Sequence, residues 1–260
     1  MTDSAKILIT MPMKPNDPTE HTFAWASKAA EMARNMGYNV KVIEKDDTTY
    51  ENVTKVITEF KPKLFCHFGH GCVSSLQGQS ECEVTRKFDA TEIMKMIDDC
   101  VYEKNYDKID TIKKMFNPLG GISCPGICKL DNDVCSPLCN HTTNVNLLKD
   151  TIVYAVACYS AAQLGECSIK YGVSSYVGFV DLFMFAVDNL NSQDIHGEVQ
   201  LEFYKSLLLG KTVGEAEQDM IKLEDSYIRK YKTTKYIALP LLWNKINRRM
   251  LGNKNSTIYG

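Results

Sequence analysis

Several things are scarce in this chain of 260 residues, and each scarcity excludes something. No run of 18 uninterrupted apolar residues occurs, so no transmembrane helix is expected. The start, "MTDSAKILITMPMKPND", lacks a basic segment followed by a long apolar one, so no signal peptide is expected. Net charge is only −2 and the isoelectric point is about 6.2. Neither value favours nucleic acid or an anionic membrane as partner. No Gly-rich phosphate loop follows the first apolar run and no Walker motif occurs anywhere, which weakens a nucleotide-binding or flavodoxin-like reading. The acidic cluster of a receiver domain is missing after that run as well. Internal repeats and low-complexity segments are absent. The cytoplasm is the expected compartment.

What is present is ordinary globular composition, 44% hydrophobic and 24% charged. The length suits one domain with a substantial core. Cysteine is the exception, with 10 residues. In a reducing compartment such residues are buried small side chains, metal ligands or catalytic thiols more often than disulfides.

The first 70 residues alternate. "KILITMP" (6–12) reads as a strand, and 21–36 as a helix with Ala26, Ala29, Ala33 and Met36 on one stripe, ended by Gly37. "YNVKVIEK" (38–45) reads as a strand. "TTYENVTKVITEF" (48–60) reads as a helix with Thr48 and Glu51 as capping box and Val53, Val56, Ile57 and Phe60 as stripe. Pro62 then precedes a third strand, "KLFCHF". Alternation of this kind predicts an α/β fold, a parallel sheet with helices on its faces. Residues 72–150 interrupt it, with a helix expected at 89–100. It resumes with a strand at 151–157, a helix at 160–172 and a strand at 173–180. From 182 to about 251 a mostly helical part is expected, including a second capping box, Thr212 with Glu215, and a stripe of Val213, Ala216, Met220, Leu223 and Tyr227.

Two strand ends carry reactive residues. "KLFCHFGHGC" (63–72) stops on His70-Gly71, and "TIVYAVACYSA" (151–161) stops on Ala157-Cys158. Parallel sheets build their sites at the carboxyl ends of strands. A cysteine nucleophile attacks as a thiolate. A strand end leading into a helix offers N–H groups and a dipole that favour negative charge and an oxyanion. A histidine on a neighbouring strand end is placed to protonate a leaving amine. Gly71 permits close approach and frees its own N–H.

This order of apolar block, His-Gly, spacer, apolar block and Ala-Cys resembles the caspase-like (clan CD) cysteine peptidases. "PKLFCHFGHG" is most similar to the CHAT, gingipain-like and clostripain-like members; "SSYVGFVD" and "GKTVGEAEQDM" resemble their later segments. The resemblance implies a caspase-like, Rossmann-like three-layer αβα sandwich with a mostly parallel central sheet. It implies Cys158 as nucleophile, His70 as general acid/base, and the Gly71 and Cys158 N–H groups as oxyanion hole, with no cofactor for catalysis. A protein or peptide is the implied substrate, and a latent state released by cleavage, a ligand or an activating partner is expected, with residues 72–150 as its seat. His67 is the rival histidine, but it lacks a following glycine. Gln-Ala-Cys-x-Gly is replaced by Val-Ala-Cys-Tyr-Ser, and His70 and Cys158 stand 88 residues apart (158 − 70) rather than about 50. Specificity for Asp is therefore not implied. Asp181 is a candidate for the substrate pocket, or a cap on the next helix, and Ser174 and Ser175 are candidates for a substrate groove.

"CPGICKLDNDVCSPLCNH" (124–141) holds Cys124, Cys128, Cys135 and Cys139 at C-x3-C-x6-C-x3-C spacing. Four thiolates so close can converge on structural zinc, or on an iron–sulfur cluster. Two disulfides or free thiols are the alternatives. A catalytically silent caspase-like binding module is the competing reading of the whole chain.

Overall fold

The computed structural model describes residues 4–13, 17–72, 75–78, 144–186 and 194–260, together with the backbone of 137–140. Its frame is a six-stranded sheet in the order β2-β1-β3-β7-β8-β9. The strands are β1 (Lys6–Met11), β2 (Asn39–Glu44), β3 (Leu64–Phe68), β7 (Ile152–Val156), β8 (Ser175–Phe179) and β9 (Arg248–Gly252). All neighbours are parallel except β9, which runs antiparallel to β8. A second, antiparallel sheet joins β4 (Gly71–Cys72), β5 (Ser75–Gln77) and β6 (Pro137–Asn140).

The inner strands β3, β7 and β8 are buried at every position. They read as continuous apolar runs because helices cover both of their faces. The edge strand β2 instead alternates in exposure along its length. One face carries α1 (Thr19–Asn35), α4 (Ile195–Leu208), α5 (Val213–Lys230) and α6 (Lys235–Asn247) over Ile7, Ile9, Cys66, Phe68, Tyr154, Val156, Val177 and Phe179. The other carries α2 (Tyr50–Phe60) and α3 (Gln163–Lys170) over Leu8, Phe65, Val153, Ala155 and Tyr176. The α/β expectation therefore holds as a three-layer sandwich on a mostly parallel sheet.

Gly37 takes a φ of +84° and closes α1, its N–H donating to Arg34 O while Tyr38 N–H donates to Ala33 O. The Thr212–Glu215 capping box starts α5. At α2 the cap is Thr49, whose hydroxyl accepts from Asn52 N–H, not Thr48. Thr48 is buried and closes the preceding turn onto Lys45 O. The largest correction lies at the carboxyl end. Residues 248–252 form strand β9, not helix. Arg248 is the reason: it is buried against Glu224 of α5, with Nη2 to Oε2 at 2.9 Å, and draws the chain onto the edge of β8. Burial pushes the Glu224 carboxyl up, and Arg248 only partly offsets it. The helix expected at 89–100 lies outside the described residues.

Candidate active site

His70 and Cys158 stand at the carboxyl ends of adjacent strands, since β3 and β7 pair in register from Leu64–Ile152 to Phe68–Val156. Gly69 N–H extends that ladder to Val156 O at 3.2 Å. The two motifs then touch. A Cβ built on Gly71 would lie 2.6 Å from the Cys158 carbonyl oxygen and 2.9 Å from Ala157 Cβ. Only glycine allows this approach. Both side chains line one cavity of about 580 Å³, walled also by Asp17, Glu20, His21 and Phe183–Phe185.

Asp17 was not singled out in the sequence. Its carboxylate sits 2.9 and 3.1 Å from His70 Nε2. It also accepts from Thr19 N–H at 2.8 Å, at the amino end of α1. Burial alone would raise its pKa, but these bonds and the His70 ring outweigh that and hold it well below the usual carboxylate range. The signal that could have found it is topological. β1 is followed by β2 on one side and, later, by β3 on the other, and the crevice at such a reversal of strand order is where ligands gather. The loop after β1 was the place to look for an acid.

His67 and His70 differ completely. His67 is wholly buried and bonded at both ring nitrogens, 3.0 Å to Thr10 Oγ1 and 2.9 Å to the His70 carbonyl oxygen. Burial draws its pKa down to about 4. His70 is partly exposed, with 43% of its side-chain surface open. Geometry thus favours His70 as the histidine that meets a substrate.

Cys158 departs from expectation in its surroundings. α3 begins only at Gln163, so the thiol is not at a helix amino end, and the dipole acts only across the first turn. The chain instead makes a tight turn in which Tyr159 takes a φ of +54°. Such a conformation needs support. Ser160 supplies it: its buried hydroxyl bridges Ala157 O at 2.8 Å and Phe179 N–H at 3.2 Å. Tyr159 N–H donates to Asp181 O at 2.9 Å. A Cβ on Gly178 would come 2.6 Å from Ser160 Oγ, so that glycine makes the room. Burial pushes the Cys158 thiol up to about 11; Phe183 N–H, donating to the sulfur at 3.4 Å, opposes this and the Asp181 carboxylate adds to it. The thiol is therefore protonated at rest.

Residues Phe183 to Phe185 line the cavity beside the sulfur. Trp243 Nε1–H donates to Leu182 O at 2.9 Å, and the Asn244 amide binds both Met184 N–H and Met184 O. Trp25 packs edge-on against Phe183 and Phe185.

The other candidates lie elsewhere. Asp181 caps its own turn, accepting from Leu182 N–H at 2.7 Å, and no helix follows it directly. Its carboxylate does not line the cavity. Ser174 and Ser175 stand at the amino end of β8, the far edge of the sheet from Cys158, because strand β8 runs parallel to β7. Ser175 is buried, donating to Asn253 O at 2.5 Å. Of the cysteine cluster, Cys124, Cys128 and Cys135 lie outside the described residues, and Cys139 is described only as backbone opposite Leu76. Cys66, Cys158 and Cys167 are free thiols, and the buried Cys72 sulfur lies 3.0 Å from Ser75 Oγ. Among the described residues no helix is long and apolar enough to cross a membrane.

No protein-family model matches this chain, and no curated protein matches it.

Proposed function

We propose that this protein is a cysteine peptidase of caspase-like fold, hydrolysing peptide bonds through a thioester. One observation carries the reading. An Asp17-His70 pair and the Cys158 thiol, brought from three adjacent parallel strands, wall a single cavity. Asp17 orients the imidazole through its contact with Nε2. His70 takes the Cys158 proton as sulfur bonds to the substrate carbonyl carbon. It returns that proton to the nitrogen of the leaving amine when the C–N bond breaks. Water then attacks the thioester carbon as His70 takes its proton; the C–S bond breaks, the acid leaves, and the proton returns to the Cys158 sulfur. The Gly71 and Cys158 N–H groups serve the developing oxyanion; no backbone carbonyl among the described residues accepts from Cys158 N–H. The protonated, Phe183-bound thiol supports a resting form that a bound substrate, ligand or partner must open.

The test is labelling with peptidyl acyloxymethyl ketones, the residue at P1 varied over Arg, Lys, Asp, Asn and Leu. Intact mass should show one adduct, absent in Cys158→Ala and slowed in His70→Ala. A folded protein that takes no adduct with any P1, even after limited cleavage, favours a silent binding module.

A further inference from the structure

The carbonyl of His70 is gripped from two sides. His67 Nε2 lies 2.9 Å from its oxygen, and Gln77 N–H donates to it at 3.1 Å. A carbonyl only accepts, so His67 Nε2 carries the proton. Nδ1 is then the acceptor, and it takes the hydrogen of the Thr10 hydroxyl at 3.0 Å. Thr10 and His67 are cross-strand neighbours on β1 and β3, and both are wholly buried. With its pKa near 4, the ring stays neutral and keeps this one tautomer at neutral pH.

The peptide joining His70 to Gly71 is planar and trans, so its N–H points opposite to its C=O. Pinning the carbonyl toward His67 and β5 aims the Gly71 N–H away from both. The bond between Gln77 and His70 also makes Gly71–Leu76 a non-hydrogen-bonded pair, so β5 takes nothing from that N–H. The backbone packed against Gly71 is that of Ala157 and Cys158.

We infer that His67 is a positioning residue of the active site: through the His70–Gly71 peptide plane it aims the Gly71 N–H at the oxygen that becomes negative when Cys158 adds to a carbonyl. The inference rests on the peptidase reading. It assigns to the Thr10–His67 pair a function in the transition state, besides its place in the core.

The test compares two reactions of Cys158 in the full chain. An acetylated tripeptide aldehyde forms a hemithioacetal: the S–C bond forms and the thiol proton ends on the former carbonyl oxygen, which needs the donor. Iodoacetamide forms an S–C bond as iodide leaves and the thiol proton passes to solvent; no oxyanion arises. His67→Phe, which keeps a ring and loses the donor, should weaken aldehyde binding by about 10²–10³-fold, the effect of losing one oxyanion donor. Its kcat for a peptide should fall in parallel with KM and alkylation rate unchanged. His67→Gln, which keeps an N–H donor, should recover much of the loss. Thr10→Val, which frees the tautomer, should show a smaller loss of the same kind, and decides the matter if His67→Phe does not fold. Wild-type aldehyde affinity in the folded variants, or equal losses in both reactions, overturns the inference and leaves the peptidase reading standing. A wild-type protein alkylated at Cys158 that binds no aldehyde and cleaves no peptide overturns both.

Discussion

The two ends of β3, β7 and β8 both carry polar residues and do opposite things. At the amino end, each polar group is taken up by a neighbouring backbone group. Thr151 Oγ1–H donates to Pro62 O at 3.0 Å, Ser174 N–H to Thr151 O at 3.0 Å, and Asn253 N–H to Ser174 O at 2.8 Å. Gly252, with a φ of +83°, lets β9 press so close that a Cβ there would lie 2.6 Å from Ser174 O. At the carboxyl end the loops part around the cavity of about 580 Å³, and His70 and Cys158 face it. The difference is topological. Strand order reverses beside β1, so the loops after β1 and β3 diverge and leave a crevice. Polar residues at one end of a strand close the fold; at the other they are available for chemistry.

Substitutions at the two ends should therefore separate activity from stability. His70→Ala should cut kcat/KM for a peptide substrate by about 10²–10⁴-fold while the melting temperature stays near wild type. A melting temperature lowered in proportion to the lost activity would erase the distinction. Arg248→Met probes the carboxyl end where it is structural. Leaving Glu224 buried and unpaired should cost about 3–5 kcal/mol in urea unfolding, and Glu224→Leu in the same chain should restore most of it. Asp17→Asn should lower kcat/KM by about 10–100-fold, the range for a group that orients a functional histidine. The loss should fall on kcat, with KM near wild type, because Asp17 acts by orienting His70. No change in either would reduce Asp17 to a cap on α1.

Acid should strip stability in a defined window. Burial draws His67 and His196 from an ordinary 6.5 down to about 4. Between those values the unfolded chain binds protons that the folded one does not. Their contribution is thus complete above pH 6.5 and is lost as pH falls toward 4. Replacing His196 by Gln should flatten the fall in unfolding free energy by about 1.4 kcal/mol per pH unit in that window. An unchanged slope would mean that His196 is already protonated in the fold. The smallest effect belongs to the amino end. Ser175→Ala should cost about 1 kcal/mol, one buried hydrogen bond, and leave peptide turnover at the wild-type rate. Lost turnover would give the two ends the same role.

Much of the frame was legible because the inner strands bury both faces. A run such as Leu64–Phe68 has no polar face to show, so its apolar length alone marks it, and its end marks His70. The same logic marked Cys158. Asp17 was not legible, since a lone acid in a Pro-rich loop looks like solvent-facing turn chemistry until His70, 53 residues further on, supplies its partner. β9 escaped because "RRMLG" has no strand pattern of its own; a buried ion pair to α5 puts it on the sheet. Ser174 and Ser175, candidates for a substrate groove, fall at the amino end of β8, and nearness to Cys158 in the chain does not reveal that strand direction.

The sequence by itself determined the layering, the alternation of strands and helices over the first 70 residues, and the two strand ends that carry His70 and Cys158. Those follow from local periodicity and capping, which act over a few residues. Only the tertiary structure decided which groups those two residues meet. Asp17 on the imidazole, Phe183 on the sulfur, His67 under the His70 carbonyl and Ser160 under the Tyr159 turn are all contacts set by sheet register and strand order. Register and order are properties of the whole packed sheet, because each strand finds its place only when its neighbours have buried their faces.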